Sequence, residues 1–100
     1  MSVLMTMRLT ADARQFEAIA QQEPETIQAI VRRAREHGLI AHRSFGNANE
    51  VFMVDEWPDE ASFQEFFDAS PEIPVVFGKA GLQGEPEVTF WRPLETNDTV

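Results

Sequence analysis

The chain has 100 residues, of which 43% are apolar, and a net charge of −9. This length and composition predict one globular domain, residues 1–100, with a core large enough to fold alone. Only 8 lysines and arginines are present, which argues against nucleic acid as a partner.

Several other classes of protein are also excluded. No apolar run approaches the roughly 18 residues that a membrane span needs, so no membrane contact is expected. The first ten residues lack the charged start and the apolar block of a secretory signal. The absence of cysteine removes disulfides and sulfur metal ligands. We therefore expect a cytoplasmic protein.

The first part of the chain alternates between strand and helix patterns. Alternating apolar residues predict a strand over Ser2–Leu9. Helical spacing follows and is interrupted at Gln22–Glu23, because Pro24 suits the first turn of a second helix. Gly38 ends that helix. One basic cluster of this second helix is expected to face solvent: Arg32, Arg33 and Arg35.

The central stretch predicts a hairpin followed by a helix. Strands over Leu39–Phe45 and Glu50–Trp57 flank a turn at Gly46–Asn49 and are expected to pair with each other. Pro58 ends the second of these strands, and Asp59 is the N-cap of the next helix.

The last part of the chain completes the pattern. The helix after the hairpin presents an apolar face made of Phe63, Phe66 and Phe67. A short helical piece begins at Ser70–Pro71, and a fourth strand is predicted over Glu87–Pro93. Residues 95–100 form a polar tail that is expected to fray.

This order of elements predicts an α+β fold of the ferredoxin-like, split βαβ type, with a four-stranded antiparallel sheet and helices on one face. The other face of such a sheet stays bare, and here both strand faces carry large apolar residues. An exposed apolar patch of that size usually binds a partner, and a second copy of the chain is the simplest one. We therefore expect a homodimer that forms through the sheet face.

Four aromatic residues are candidates for binding a small apolar or aromatic ligand: Trp57, Phe63, Phe66 and Trp91. They can line a flat cavity between sheet and helices that suits an aromatic or polyketide-like molecule, or they can pack against one another as an aromatic core. No glycine-rich phosphate loop and no serine in a nucleophile elbow accompanies them.

The two histidines, His37 and His42, have no carboxylate at ligand spacing, so no metal site is expected. His42 shares a strand face with Ile40. It is either a core histidine satisfied by a hydrogen bond or a catalytic residue that moves a proton near neutral pH.

The order of elements and the segment EVFMVDEWPDEASFQEFF resemble the antibiotic-biosynthesis-monooxygenase-like family of dimeric α+β barrel proteins. Members carry an acidic residue, an aromatic residue two positions later, and then a polar turn and a helix. Asp55, Trp57 and Phe63 match that pattern, and the resemblance extends from Val3 to Arg92. It implies a homodimer whose sheets pack face to face, with a pocket in each subunit that Trp57 lines.

The chain also departs from this family. Many relatives place a histidine on the helix after the hairpin, nine residues beyond the aromatic residue, where this chain has Phe66. Haem-degrading members use an asparagine in the first strand and a histidine after that helix, at places taken here by Met7 and by Val76 or Phe77. Haem breakdown is therefore disfavoured, and His42 is left as the buried general base.

Two functional hypotheses follow. The first is a cofactor-independent monooxygenase-like enzyme that acts on an aromatic or polyketide-type small molecule, with His42 as the proton acceptor. The alternative is a non-catalytic dimeric module that binds a small apolar ligand or serves a stress or regulatory role. The family resemblance favours the first hypothesis, and the missing family histidine favours the second.

Overall fold

A computed structural model describes all residues, 1–100, and contains four strands and four helices. Their bounds are β1 (Val3–Thr10), α1 (Ala13–Gln22), α2 (Pro24–Glu36), β2 (Ala41–Gly46), β3 (Glu50–Trp57), α3 (Glu60–Asp68), α4 (Glu72–Lys79) and β4 (Gln83–Trp91). The strands form one antiparallel sheet in the order β2-β3-β1-β4. This is the ferredoxin-like arrangement, so the predicted α+β fold is confirmed.

The helices cover one face of the sheet. In β1 the side chains of Met5, Met7 and Leu9 are buried, whereas those of Leu4 and Arg8 are exposed, as expected when successive residues point to opposite faces. We call the side that carries Met5 and Met7 the inner face and the side that carries Leu4 and Arg8 the outer face. None of the four helices has the length and apolar character that crossing a membrane would require.

The core lies between the inner face and the helices. Trp57, at the end of β3, is completely buried and packs against Phe63 and Phe66 of α3, with ring centroids 5.7 Å and 5.4 Å apart. Burying a side chain of this size contributes roughly 1.5–3 kcal/mol. The aromatic cluster therefore fixes α3 against the end of β3.

The helix boundaries agree with the sequence signals. The break between α1 and α2 falls at Glu23, immediately before Pro24. Asp59 is the N-cap of α3, because its Oδ1 atom accepts a hydrogen bond from the backbone N–H of Ser62 at 2.8 Å.

One prediction for α2 is wrong. Arg33 does not face solvent freely, because its guanidinium donates two hydrogen bonds to the Glu72 carboxylate, at 2.7 and 2.8 Å. The same group donates to Ser70 Oγ at 3.2 Å. The two hydrogen bonds between Arg33 and Glu72 hold the pKa of Glu72 down to about 2, and they join α2 to α4. The other two arginines of the cluster, Arg32 and Arg35, are exposed as expected.

Three strands have different bounds from those predicted: β1 lies one residue later in the chain, and β2 and β4 begin at other residues. β2 begins only at Ala41, because the backbone N–H of Leu39 still bonds to Ala34 O at the end of α2. β4 begins at Gln83, before Pro86, and its pairing with β1 shifts in this region. A proline is tolerated there because β4 is an edge strand, where a missing N–H leaves no neighbour unpaired.

Candidate functional site

A cavity of about 410 Å³ lies between the inner face of the sheet and the helices. Its floor includes Met5, Met7 and Met53, and its walls include Phe63 and Phe66 from α3. Nearly all of its lining is apolar. The polar side chains that reach it are Glu17, His42, Ser44 and Asp55.

The hairpin of β2 and β3 brings His42 and Asp55 together. The two residues lie directly opposite each other in the strand register, and both side chains point to the inner face. His42 Nδ1 and Asp55 Oδ1 are 2.5 Å apart. The Asp55 side chain is 9% exposed and that of His42 is 37% exposed. The carboxylate is thus buried behind the imidazole, which reaches the cavity and solvent.

Asp55 is itself held by Trp57. The indole Nε1–H of Trp57 donates to Asp55 Oδ2 at 3.1 Å, while Oδ1 faces His42. Trp57 can make this bond because residues two apart on a strand share a face. Both carboxylate oxygens therefore have a partner, which is what a buried charge requires. The rigid indole fixes the orientation of the carboxylate.

The carboxylate determines the protonation chemistry of His42. Its hydrogen bond to Asp55 raises the pKa of His42 above the ordinary value, burial of the ring lowers this pKa, and the negative charge of Asp55 raises it again. A carboxylate only accepts, so Nδ1 carries the proton that is donated to Asp55. Nε2 is then the ring nitrogen that is free to take a proton, and Ser44 Oγ lies 3.5 Å from it.

The structure separates the four aromatic residues predicted to bind a ligand. Phe63 and Phe66 line the cavity, but Trp57 is fully buried behind it and donates a hydrogen bond to Asp55 instead. The assignment of Trp91 to this cavity is corrected. Its side chain lies on the outer face, opposite Leu4, because Phe90 takes the inner-face position at this end of β4.

Trp91 makes its contacts on the outer face of the sheet. Its Nε1–H donates to Thr6 Oγ1 at 2.9 Å, and the side chain remains half exposed. Leu4 and Phe45 are exposed on the same side of the sheet. Trp91 therefore belongs to the bare sheet face and not to the cavity.

Sequence reasoning missed the partner of His42. Arg8 does not contact Asp55 and pairs instead with Glu50 on the outer side. The sequence of the turn does indicate that His42 lies opposite Asp55. Pairing Asn47 with Glu50 across the hairpin and counting back along both strands places His42 opposite Asp55.

No three histidine, cysteine, aspartate or glutamate side chains come together in a group that could hold a metal ion. The chemistry that these residues can perform is proton transfer at His42 Nε2 beside an apolar cavity. The buried Asp55 would stabilise the imidazolium that this transfer forms.

Neither the family models nor the curated proteins contain a match to this chain. Solved structures do match it in fold. SnoaB, a cofactor-independent oxygenase from Streptomyces nogalater, has a TM-score of 0.65 at 17% identity over 98% of both chains. The chain shares the fold of antibiotic-biosynthesis-monooxygenase-like proteins. The resemblance found in the sequence is thus confirmed at the level of the fold.

Two further structures extend the comparison. A monooxygenase from the ActVA-Orf6 gene of Streptomyces coelicolor, in complex with nanaomycin D, has a TM-score of 0.70 at 15% identity, over 99% of this chain and 93% of that chain. A dimeric ferredoxin-like protein from an uncultured marine organism has a TM-score of 0.68 at 14% identity, with the same coverage. At such low identities the likeness concerns the fold, and the site must be argued from this chain's own residues.

Proposed function

We propose that this protein is a cofactor-independent monooxygenase-like enzyme that acts on an aromatic or polyketide-type small molecule. The observation that carries this proposal is the His42–Asp55 pair at an apolar cavity of about 410 Å³. A base that is oriented by a buried carboxylate, next to an apolar surface, suits the removal of a proton from an apolar substrate. The fold that the chain shares with SnoaB, a cofactor-independent oxygenase, supports the same reading.

The proposed reaction begins with proton transfer to His42 Nε2. The substrate is an activated methylene compound whose carbanion is stabilised by its aromatic rings. His42 takes one proton from the methylene carbon, and the carbanion reacts directly with oxygen. One oxygen atom becomes a carbonyl oxygen on that carbon, and the other leaves as water with the two methylene hydrogens.

The remaining residues of the cavity bind and shield the substrate. Phe63 and Phe66 offer aromatic surfaces, and the three methionines of the floor offer flexible, polarisable contacts that adapt to flat ligands. Asp55 stabilises the positive charge on His42 after the proton has moved. Because nearly all the lining is apolar, a bound aromatic substrate would displace water from around the carbanion.

The proposal includes a homodimer formed through the outer face. Leu4, Phe45 and Trp91 are exposed there, although each is a large apolar side chain that would be stabilised by burial. A fold neighbour is described as dimeric and ferredoxin-like. Face-to-face packing of two sheets would cover these side chains and leave both cavities on the helix side.

Oxygen uptake with anthrone as the probe tests the enzymatic proposal. Anthrone has a methylene group between two aromatic rings, and its product, anthraquinone, is followed by absorbance. Replacing the base in His42→Gln should lower the rate by ~100-fold or more. His37→Gln is the matched control, because it removes an imidazole that bonds to Arg33 O and does not line the cavity. Equal rates in the wild type and His42→Gln would contradict the assignment of the base.

The almost wholly apolar lining also favours a second candidate, a module that binds a small apolar ligand without turnover. Native mass spectrometry with anthrone separates the two functions. A bound ligand without oxygen uptake or anthraquinone would favour the binding module.

A further inference from the structure

Ser44 occupies a position that the proposed oxygenation does not use. It lies two residues after His42 on β2, so both side chains point to the inner face and both reach the cavity. Ser44 Oγ is 3.5 Å from His42 Nε2, the ring nitrogen opposite the one that faces Asp55. Ser44 is exposed, so a ligand can reach its hydroxyl.

Successive contacts connect Ser44 Oγ to the His42 imidazole and the imidazole to the Asp55 carboxylate, which also accepts from Trp57 Nε1. A serine hydroxyl is a weak nucleophile until a base lies within reach of its proton and a third group orients that base. Distances between nucleophile and base are often long before substrate binds, so a separation of 3.5 Å fits this role.

The strand also leaves a hydrogen-bond donor beside Ser44. β2 is an edge strand that pairs only with β3. Asn47 N donates to Glu50 O across the hairpin at 3.0 Å, and residues of an antiparallel pair alternate between bonded and non-bonded positions. Counting back from Asn47 makes Phe45 a bonded residue and Ser44 a non-bonded one. The backbone N–H of Ser44 thus points to the open edge, where it can donate to an oxyanion.

We propose that Ser44 is the nucleophile of an acyl-transfer activity on esters whose apolar acyl group enters the cavity. Ser44 Oγ bonds to the ester carbonyl carbon while its proton moves to His42 Nε2. The bond from that carbon to the alcohol oxygen then breaks, and the alcohol leaves with the proton from His42. Water, deprotonated by the same nitrogen, attacks the acyl-serine, releases the carboxylic acid and restores the hydroxyl.

This inference goes beyond the proposed oxygenation and needs no oxygen. The charged groups that reach the cavity are His42, Asp55 and Glu17, and no arginine or lysine is among them. An uncharged ester with an apolar acyl chain therefore fits better than one with a carboxylate on that chain.

Covalent labelling under nitrogen tests the inference. Diisopropyl fluorophosphate reacts with an activated serine, whose Oγ displaces fluoride, and the intact mass then shows one added diisopropylphosphoryl group. We expect one adduct on the wild type, located at Ser44 by peptide mapping, and none on Ser44→Ala. Ser62→Ala is the matched control, because Ser62 lies on α3 outside the cavity, and it should be labelled like the wild type. His42→Gln should be labelled ~100-fold more slowly.

Hydrolysis of para-nitrophenyl butyrate provides the second readout. The wild type should release nitrophenolate with a burst equal to the enzyme concentration, and Ser44→Ala should show no burst. An absent adduct, or an adduct on another serine, overturns the inference. Because labelling uses neither anthrone nor oxygen, its failure beside a working oxygenation assay would remove the acyl-transfer activity and leave the proposed function standing.

Discussion

Replacing Asp55 with asparagine tests whether the buried carboxylate controls the protonation of His42. Asparagine has nearly the same size, and its carbonyl oxygen can still accept from Trp57, but the negative charge beside His42 Nδ1 is lost. The hydrogen bond to Asp55 is the largest cause of the raised pKa of His42, whereas burial lowers this pKa. In Asp55→Asn the pKa of His42 should therefore fall to its ordinary value of 6.5 or below.

The change in stability has a definite size and sign. A hydrogen bond to a charged group contributes roughly 1.5–3 kcal/mol. The His42 side chain is 37% exposed, and solvent screening reduces the loss to about 1–2 kcal/mol. Because the pKa of His42 is raised in the folded state, protonation of His42 stabilises the fold. This stabilisation is fully present below the unfolded-state pKa of about 6.5, and it is lost as the pH rises through the folded-state pKa. Asp55→Asn should therefore cost more stability at about pH 6 than at about pH 9.

Two measurements check this expectation. Proton NMR follows the ring protons of His42 through a pH titration of the wild type and of Asp55→Asn. Urea unfolding at the two pH values gives the difference in unfolding free energy. The reasoning is refuted if His42 titrates at the same pH in both proteins, or if the variant loses the same stability at both pH values.

Three further predictions concern other parts of the molecule. Trp57→Phe removes the Nε1–H donor but keeps a ring in the core, so it should cost about 1–3 kcal/mol in urea unfolding, against about 3–5 kcal/mol for Trp57→Ala. An unchanged unfolding free energy in Trp57→Phe would contradict the role of the indole N–H. The pair of Arg33 and Glu72 stabilises the fold above about pH 4.5, and this is lost as the pH falls through about 2, the pKa of Glu72. Glu72→Gln should therefore destabilise at about pH 6 and be near neutral at about pH 2, and a pH-independent effect would contradict this. Leu4→Asp on the outer face should give a monomer in sedimentation velocity, while Val75→Asp on α4, also exposed in the wild type, should remain a dimer.

Most of the fold could be predicted from the sequence because its strands and helices carry strong local signals. Pro24 and Asp59 mark helix starts whose geometry depends on neighbouring residues alone. The ends of β2 and β4 were harder to predict. Each depends on a partner elsewhere in the chain: Leu39 is held by the end of α2, and Pro86 is tolerated only because β4 lies at the sheet edge.

The sequence predicts which residue types form the site, but it does not predict which face of the sheet each of them occupies. The residue types were visible, and His42, Phe63 and Phe66 do reach the cavity. Trp91 lies on the outer face because it alternates with Phe90 along β4, and its hydrophobicity alone does not indicate which face it occupies. Large apolar side chains occupy both faces of this sheet. Hydrophobicity therefore cannot tell the cavity from the outer face, and only the strand register can.

The chemistry of the site thus depends on a turn that lies far from it. A slip of one residue between β2 and β3 would turn His42 to the outer face and separate it from Asp55. Asn47 opposes such a slip, because its Oδ1 atom accepts from the backbone N–H groups of Asn49 and Glu50 at 3.0 and 2.9 Å. Gly46 opposes it as well, since a Cβ atom there would lie 2.6 Å from the Ala13 side chain of α1. Only a glycine lets the end of β2 pack this closely, so moving any other residue of β2 into this position would force the helix away. The turn and its glycine therefore hold the register that pairs His42 with Asp55.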